Sequence, residues 1–145
     1  MRAVIQRVRR GGVSVEGRQV AKIGRGLVIL LGIGPQDTED TAQTMAYKIS
    51  RLRIFEDDQG KMNLSVLDIG GEAVVVSQFT LYANTKKGHR PSFVLSAPPE
   101  MARPLVDRFV ALMGEQGVAT QSGEFGAHML VEIENDGPVT IWLEM

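Results

Sequence analysis

Ser77-Gln78-Phe79-Thr80 closes an apolar, β-branched run and places two hydroxyls and an amide at a strand end, where they can line a pocket. A hydroxyl becomes a nucleophile only beside a base. The 145-residue chain has just two histidines, His89 and His128, and no Gly-x-Ser-x-Gly elbow. The run therefore reads either as a core edge or as the wall of an esterase using Ser77 or Thr80. Cysteine is absent, which excludes thiolate catalysis, disulfides and Cys-ligated metals, and the remaining residues call for no metal and no cofactor.

A second cluster lies close by. Residues 73–99 contain no Asp or Glu, and Lys86, Lys87 and Arg90 sit within them beside His89. Cations without neighbouring acids can be a solvated loop or a surface for nucleic-acid phosphates. Because the net formal charge is -1, the end of a tRNA suits this loop better than long duplex DNA. A non-catalytic RNA-binding module is therefore a second reading. Gly32-Ile33-Gly34 imitates a dinucleotide fingerprint, but Asp37, Glu39 and Asp40 would repel a pyrophosphate, so it reads as turn punctuation. Glu56-Asp57-Asp58 lacks calcium-loop spacing and reads as a solvated turn. Asn135-Asp136-Gly137-Pro138 reads as a hairpin or tight reversal; Pro138 cannot pair in a central strand, so the turn needs special geometry, of which a cis bond is one form.

These residues need a scaffold. Hydrophobic residues at 43% and charged residues at 23% describe one globular domain over residues 1–145, and no apolar run approaches a membrane span. The cytoplasm is the expected compartment. Strands are predicted at 2–8, 13–15 and 19–23, with turns at Gly11-Gly12 and Gly17-Arg18, and at 27–33, 53–55, 73–79, 129–133 and 139–143. Leu27–Ile33 is apolar throughout and should be covered on both faces. Ala42, Met45, Ile49 and Leu52 recur at helical spacing behind the cap candidates Asp37 and Thr38, and a second helix runs from Pro98-Pro99 to Gly117. The expected fold is α/β: a single compact domain, mostly antiparallel β layers with two main helices packed on one face, a barrel-like three-layer α/β/β arrangement.

Taken together, several runs resemble the D-aminoacyl-tRNA deacylase (D-tyrosyl-tRNA deacylase) family. They are Met1–Val8, Leu52–Phe55 with Gly60–Ser65, Ser77–Leu81, Lys87–Phe93, Gly123–Ala127 and Asn135–Thr140. The departures are Gly11-Gly12, His89 where a second Arg is common, and His128 where an acid is usual. The resemblance implies a homodimer with its active site at the subunit interface. It implies hydrolysis of the ester of D-aminoacyl-tRNA, with no DNA or membrane partner. Ser77, Gln78, Phe79 and Thr80 would form the catalytic wall; Gly137, Pro138, Arg7, Phe125 and Met129 would contact substrate; Lys86, Lys87 and Arg90 would meet RNA. In the family a Gly137-Pro138 cis peptide enters the partner's pocket and rejects L side chains. Glycyl-tRNA, as when glycine is mischarged on tRNA(Ala), would pass that screen, and the RNA 2′-OH would assist the chemistry.

Overall fold

The computed structural model describes residues 1–145. They form β1 (Arg2–Val15), β2 (Arg18–Ile23), β3 (Gly26–Gly32), α1 (Glu39–Ser50), β4 (Phe55–Glu56), β5 (Met62–Leu64), β6 (Glu72–Ser77), a 3-10 turn (Phe79–Tyr82), α2 (Pro99–Glu115), β7 (Ala119–Ser122) and β8 (Met129–Glu144).

β1 organises the sheet. β2 and β3 follow one another along one edge, β2 against Gly11–Val15 and β3 against Arg2–Val8, while β8 occupies the other edge, all antiparallel. β6 then adds parallel to β3, and β7 parallel to β6. The sheet curls until its ends meet. There Gln121 of β7 stands in for a strand backbone: its side chain accepts from the Lys22 N–H at 3.0 Å and donates to the Lys22 carbonyl at 2.6 Å. The result is a nearly closed, barrel-like mixed sheet with most pairings antiparallel, as expected.

Strand periodicity splits the apolar residues of β3 between two layers. Leu27, Ile29 and Leu31 point toward the helices, joining Ala42, Met45, Ile49, Phe109, Leu112 and Met113. Val28 points into the curl of the sheet with Val8, Val13, Ala21, Ile23, Val74 and Val76. This is why Leu27–Ile33 lacks polar alternation: each face belongs to a core. α1 starts where Thr38 caps the Thr41 N–H in a reciprocal box, and α2 starts at Pro99, whose missing N–H is no loss in a first turn.

Four expectations are corrected. Gly11-Gly12 lies inside β1 and is no turn, since β1 keeps pairing with β2 and β8 there. Asp37 is not the helix cap; it folds back, accepts the Gly34 N–H at 2.6 Å and pairs with the Met1 ammonium. Residues 129–144 are not a hairpin but one strand, both halves of which run antiparallel to β1, with Asp136–Val139 bulging out opposite Arg7. The strand expected over 73–79 stops at Ser77 because Phe79–Tyr82 coils into the 3-10 turn. The strands β5 and β7, of 3 and 4 residues, are too short to register in a periodicity.

The turns flanking this scaffold depend on charged carboxylates. Asp57 accepts from Asn63 and from the Lys61 and Gln59 N–H groups, and Asp68 accepts from the Ser65 hydroxyl and N–H; these bonds lower both pKa values below 3.8. Because the folded pKa values lie below the unfolded ones, the stability they contribute is full above the ordinary carboxylate range. It is lost as pH falls through the folded values. Melting curves of wild type and Asp68→Asn should differ at neutral pH and converge in that acid range; a constant gap would remove the carboxylate from this role.

Candidate active site

Ser77 ends β6 beside Leu31 of β3, and the Gln78 N–H bonds the Leu31 carbonyl at 2.8 Å. The chain then turns across the end of β3. This leaves Phe79 55% exposed, although the next buried side chain, Tyr82, is only three residues on. The Gln78 amide donates to the Thr80 hydroxyl at 2.5 Å. Neither Ser77 nor Thr80 has a hydrogen bond to a histidine or carboxylate, so no side-chain base activates either hydroxyl. The opening N–H groups of the turn, on Phe79 and Thr80, have no acceptor within it.

Beside this turn opens a pocket of about 560 Å³. Ser77, Gln78 and Phe79 form one wall, Phe125, His128 and Met129 another, and Phe93 a third. Phe79 and Phe93 meet edge to face with ring centroids 5.0 Å apart. The structure thus brings together Ser77, Gln78, Phe79, Phe125 and Met129. Ile33, Ala97 and Val106 complete the floor; in the sequence Ile33 and Val106 read as core and Ala97 as the end of a loop, and nothing in their types marked them as pocket lining. Phe93 had a signal, as the aromatic that ends the basic Lys87–Phe93 run.

Arg7, Gly137 and Pro138 stand elsewhere, and none lines this pocket. The Gly137-Pro138 bond is cis, and both residues are exposed. Arg7 is buried beneath them. Its Nε donates to the Asp136 carbonyl at 2.9 Å and its Nη1 to the Ile54 carbonyl at 2.6 Å, with the carboxylates of Asp136 and Glu56 at 3.6 and 3.9 Å. Asn135 ties the base of the bulge, donating to the Gln6 side chain and to the Arg7 and Val139 carbonyls, and the Thr140 hydroxyl also bonds Gln6. Asn135, Thr140 and Gln6 therefore hold the bulge, a part that sequence reading did not give them.

Lys86, Lys87, His89 and Arg90 are all exposed, at the tip of a loop whose stem is a bridge between Asn84 and Ser92. None of the four side chains is tied to a carboxylate.

This layout can be set against known proteins. Residues 4–144 match the family model described as D-Tyr-tRNA(Tyr) deacylase. The chain belongs to that family. A D-aminoacyl-tRNA deacylase of Roseiflexus castenholzii is 58% identical over 144 residues, covering 99% of this chain and 92% of the relative. One from Thermotoga petrophila is 54% identical, covering 99% and 97%. Among solved structures, a c-Myc DNA unwinding element binding protein superposes with a TM-score of 0.94 at 44% identity, covering 100% of this chain and 99% of that one. A structure described as "a probable eukaryotic D-amino acid tRNA deacylase" gives 0.84 at 18% identity and bears on the fold alone. Membership of the deacylase family makes the chain a hydrolase of the aminoacyl-tRNA ester bond. No helix of this chain is long and apolar enough to cross a membrane.

Proposed function

We propose that this protein removes D-amino acids from tRNA in the cytoplasm, working as a homodimer in which the Gly137-Pro138 bend of one subunit enters the pocket of the other. The observation that carries the reading is the separation of the two parts: the bend is exposed, braced from below by Arg7, and lines no part of the pocket of its own chain. A second subunit brings them together. Leu130, Ile133 and Trp142 of β8 are large apolar side chains left exposed, as an interface requires.

In this assembly the terminal adenosine sits among Phe79, Phe93, Phe125 and Met129, where aromatic faces can stack a base, while Lys86, Lys87 and Arg90 contact phosphate. The Phe79 and Thr80 N–H groups hold the ester carbonyl as negative charge develops on its oxygen. With no activated side-chain nucleophile in the pocket, the vicinal 2′-OH of the ribose assists hydrolysis. A rigid backbone screen rejects an L side chain by collision, yet glycine offers it nothing to reject, so glycyl-tRNA, including glycine mischarged on tRNA(Ala), is also cleaved.

The test is to offer the purified protein D- and L-tyrosyl forms of one tRNA. Release of D-tyrosine at least about a hundredfold faster is expected, because steric exclusion of a whole side chain exceeds ~3 kcal/mol. Equal rates, or none, would sink the proposal; binding without turnover would leave an RNA-binding module, and inactivation by a serine-directed reagent would point to a Ser77 esterase.

A further inference from the structure

Gly32-Ile33-Gly34 has so far only the part of a turn, yet the structure places it directly under the catalytic run. A Cβ on Gly32 would stand 2.9 Å from the Gln78 carbonyl oxygen and 3.2 Å from Leu81 Cβ. One on Gly34 would stand 2.6 Å from the Tyr82 hydroxyl and 3.0 Å from its Cζ. Neither glycine has positive φ, so an alanine is conformationally allowed at both; what the positions require is room. The carbonyl between them, on Ile33, accepts the Ala97 N–H at 2.9 Å, so the end of the 83–97 segment is fastened to the same floor.

From the side, Arg2 clamps the turn. Its Nη1 donates to the Leu81 carbonyl at 3.0 Å, its guanidinium lies 4.4 Å from the Tyr82 ring centroid, and its Nε is held by Glu144 at 2.7 Å. The Tyr82 hydroxyl, pressed against Gly34, is neutral across the working range: burial, and then the Asp37 carboxylate, push its pKa up to about 12. A 3-10 turn of four residues has too few internal bonds to fix itself. Its geometry is imposed from outside.

We infer that Gly34, Tyr82 and Arg2 are positioning residues for ester hydrolysis: the Tyr82 ring, seated on the Gly32–Gly34 backbone and covered by Arg2, sets where the Phe79 and Thr80 N–H groups stand. This rests on the reading of Ser77–Thr80 as the wall at which the ester reacts. None of the three lines the pocket, so substrate binding is left to other residues. Disturbing the seat should therefore alter kcat and spare KM.

The experiment compares steady-state hydrolysis of D-tyrosyl-tRNA by wild type, Gly34→Ala, Tyr82→Phe, the double variant and Arg2→Gln, with circular dichroism to confirm folding at the assay temperature. Displacing the reacting groups by a few tenths of an ångström to 1 Å should cost Gly34→Ala about tenfold or more in kcat, with KM within about twofold. In the Tyr82→Phe background the colliding hydroxyl is gone, and the same glycine substitution should cost less than about threefold, a rescue that general destabilisation does not produce. Arg2→Gln, at a partly exposed site, should lower kcat about fivefold with KM unchanged and decides the matter if Gly34→Ala does not fold. An active wild type with a folded Gly34→Ala or Arg2→Gln of normal kcat overturns this inference alone, as does an equal loss in both backgrounds. A wild type that leaves D-tyrosyl-tRNA intact overturns the deacylase reading and this one with it.

Discussion

Replacing Gly137 by valine is expected to lower D-aminoacyl-tRNA hydrolysis by at least about a hundredfold, since misplacing a positioning group by ~1 Å is enough for that. Gly137 has φ +133, a region L side chains rarely adopt, and its Cβ would stand 2.9 Å from both Arg7 Nη2 and the Val139 methyl. Arg7 cannot retreat: it is buried, with Nη1 on the Ile54 carbonyl and Nε on the Asp136 carbonyl. A strained, β-branched residue costs about 1–3 kcal/mol in backbone energy alone, and the exposed bend has few contacts with which to offset it. The bend, not Arg7, must move. Single-turnover deacylation with D-tyrosyl-tRNA reads the effect. Mixing variants tests the proposed dimer as well: on that proposal, a subunit with an intact Ser77–Thr80 run should lose activity when its partner carries Gly137→Val. Retention of rate within about threefold when every chain carries Gly137→Val would remove the bend from the reaction.

A tRNA ending in 2′-deoxyadenosine is expected to resist hydrolysis, with a loss above about a hundredfold, whereas Thr80→Ala should lose no more than about threefold. The ester next to a ribose hydroxyl is labile already, so a few kcal/mol of positioning and carbonyl stabilisation is enough, on the order of that from an oxyanion hole. Thr80 has the wrong surroundings for a nucleophile: its hydroxyl takes a hydrogen bond from the Gln78 amide at 2.5 Å and faces no base. Rates of amino-acid release from the paired 2′-hydroxy and 2′-deoxy substrates, measured at saturating enzyme, separate the two mechanisms. If the deoxy substrate turns over normally while Thr80→Ala is dead, the threonine carries the reaction.

Much of the scaffold was legible because its signals are local. Leu27–Ile33 is apolar on both faces, and the two helices have start signals, a Thr38 cap for α1 and Pro98-Pro99 for α2, with periodic stripes behind them. Two of the misreadings, Gly11-Gly12 as a turn and residues 129–144 as a hairpin, have one physical source, the length of β1 and β8. Glycine pairs and Asn-Asp-Gly-Pro are local turn signals, but along strands of 14 and 16 residues the neighbouring backbone overrides them, absorbing Gly11-Gly12 as ladder and Asp136–Val139 as a bulge. In the site, the polar run Ser77–Thr80 stood out by composition, while Ile33, Ala97 and Val106 did not, since an apolar pocket floor uses the same residue types as a core. The distance between the Gly137-Pro138 bend and the pocket has no local signature at all; it exists only after folding.

The closure of the barrel by Gln121 also governs aggregation. A curled sheet with its ends joined through one side chain offers newcomers no backbone at that seam, because the Lys22 N–H and carbonyl are both occupied. Within the six-stranded sheet the open flank is the outer edge of β8. Of the carboxylates that strand carries, Glu134, Asp136 and Glu144 are paired with Arg10, Arg9 and Arg2, so charge does not close that flank. Edge-to-edge fibre growth is thereby discouraged at the seam, which a single amide seals on both its donor and its acceptor side.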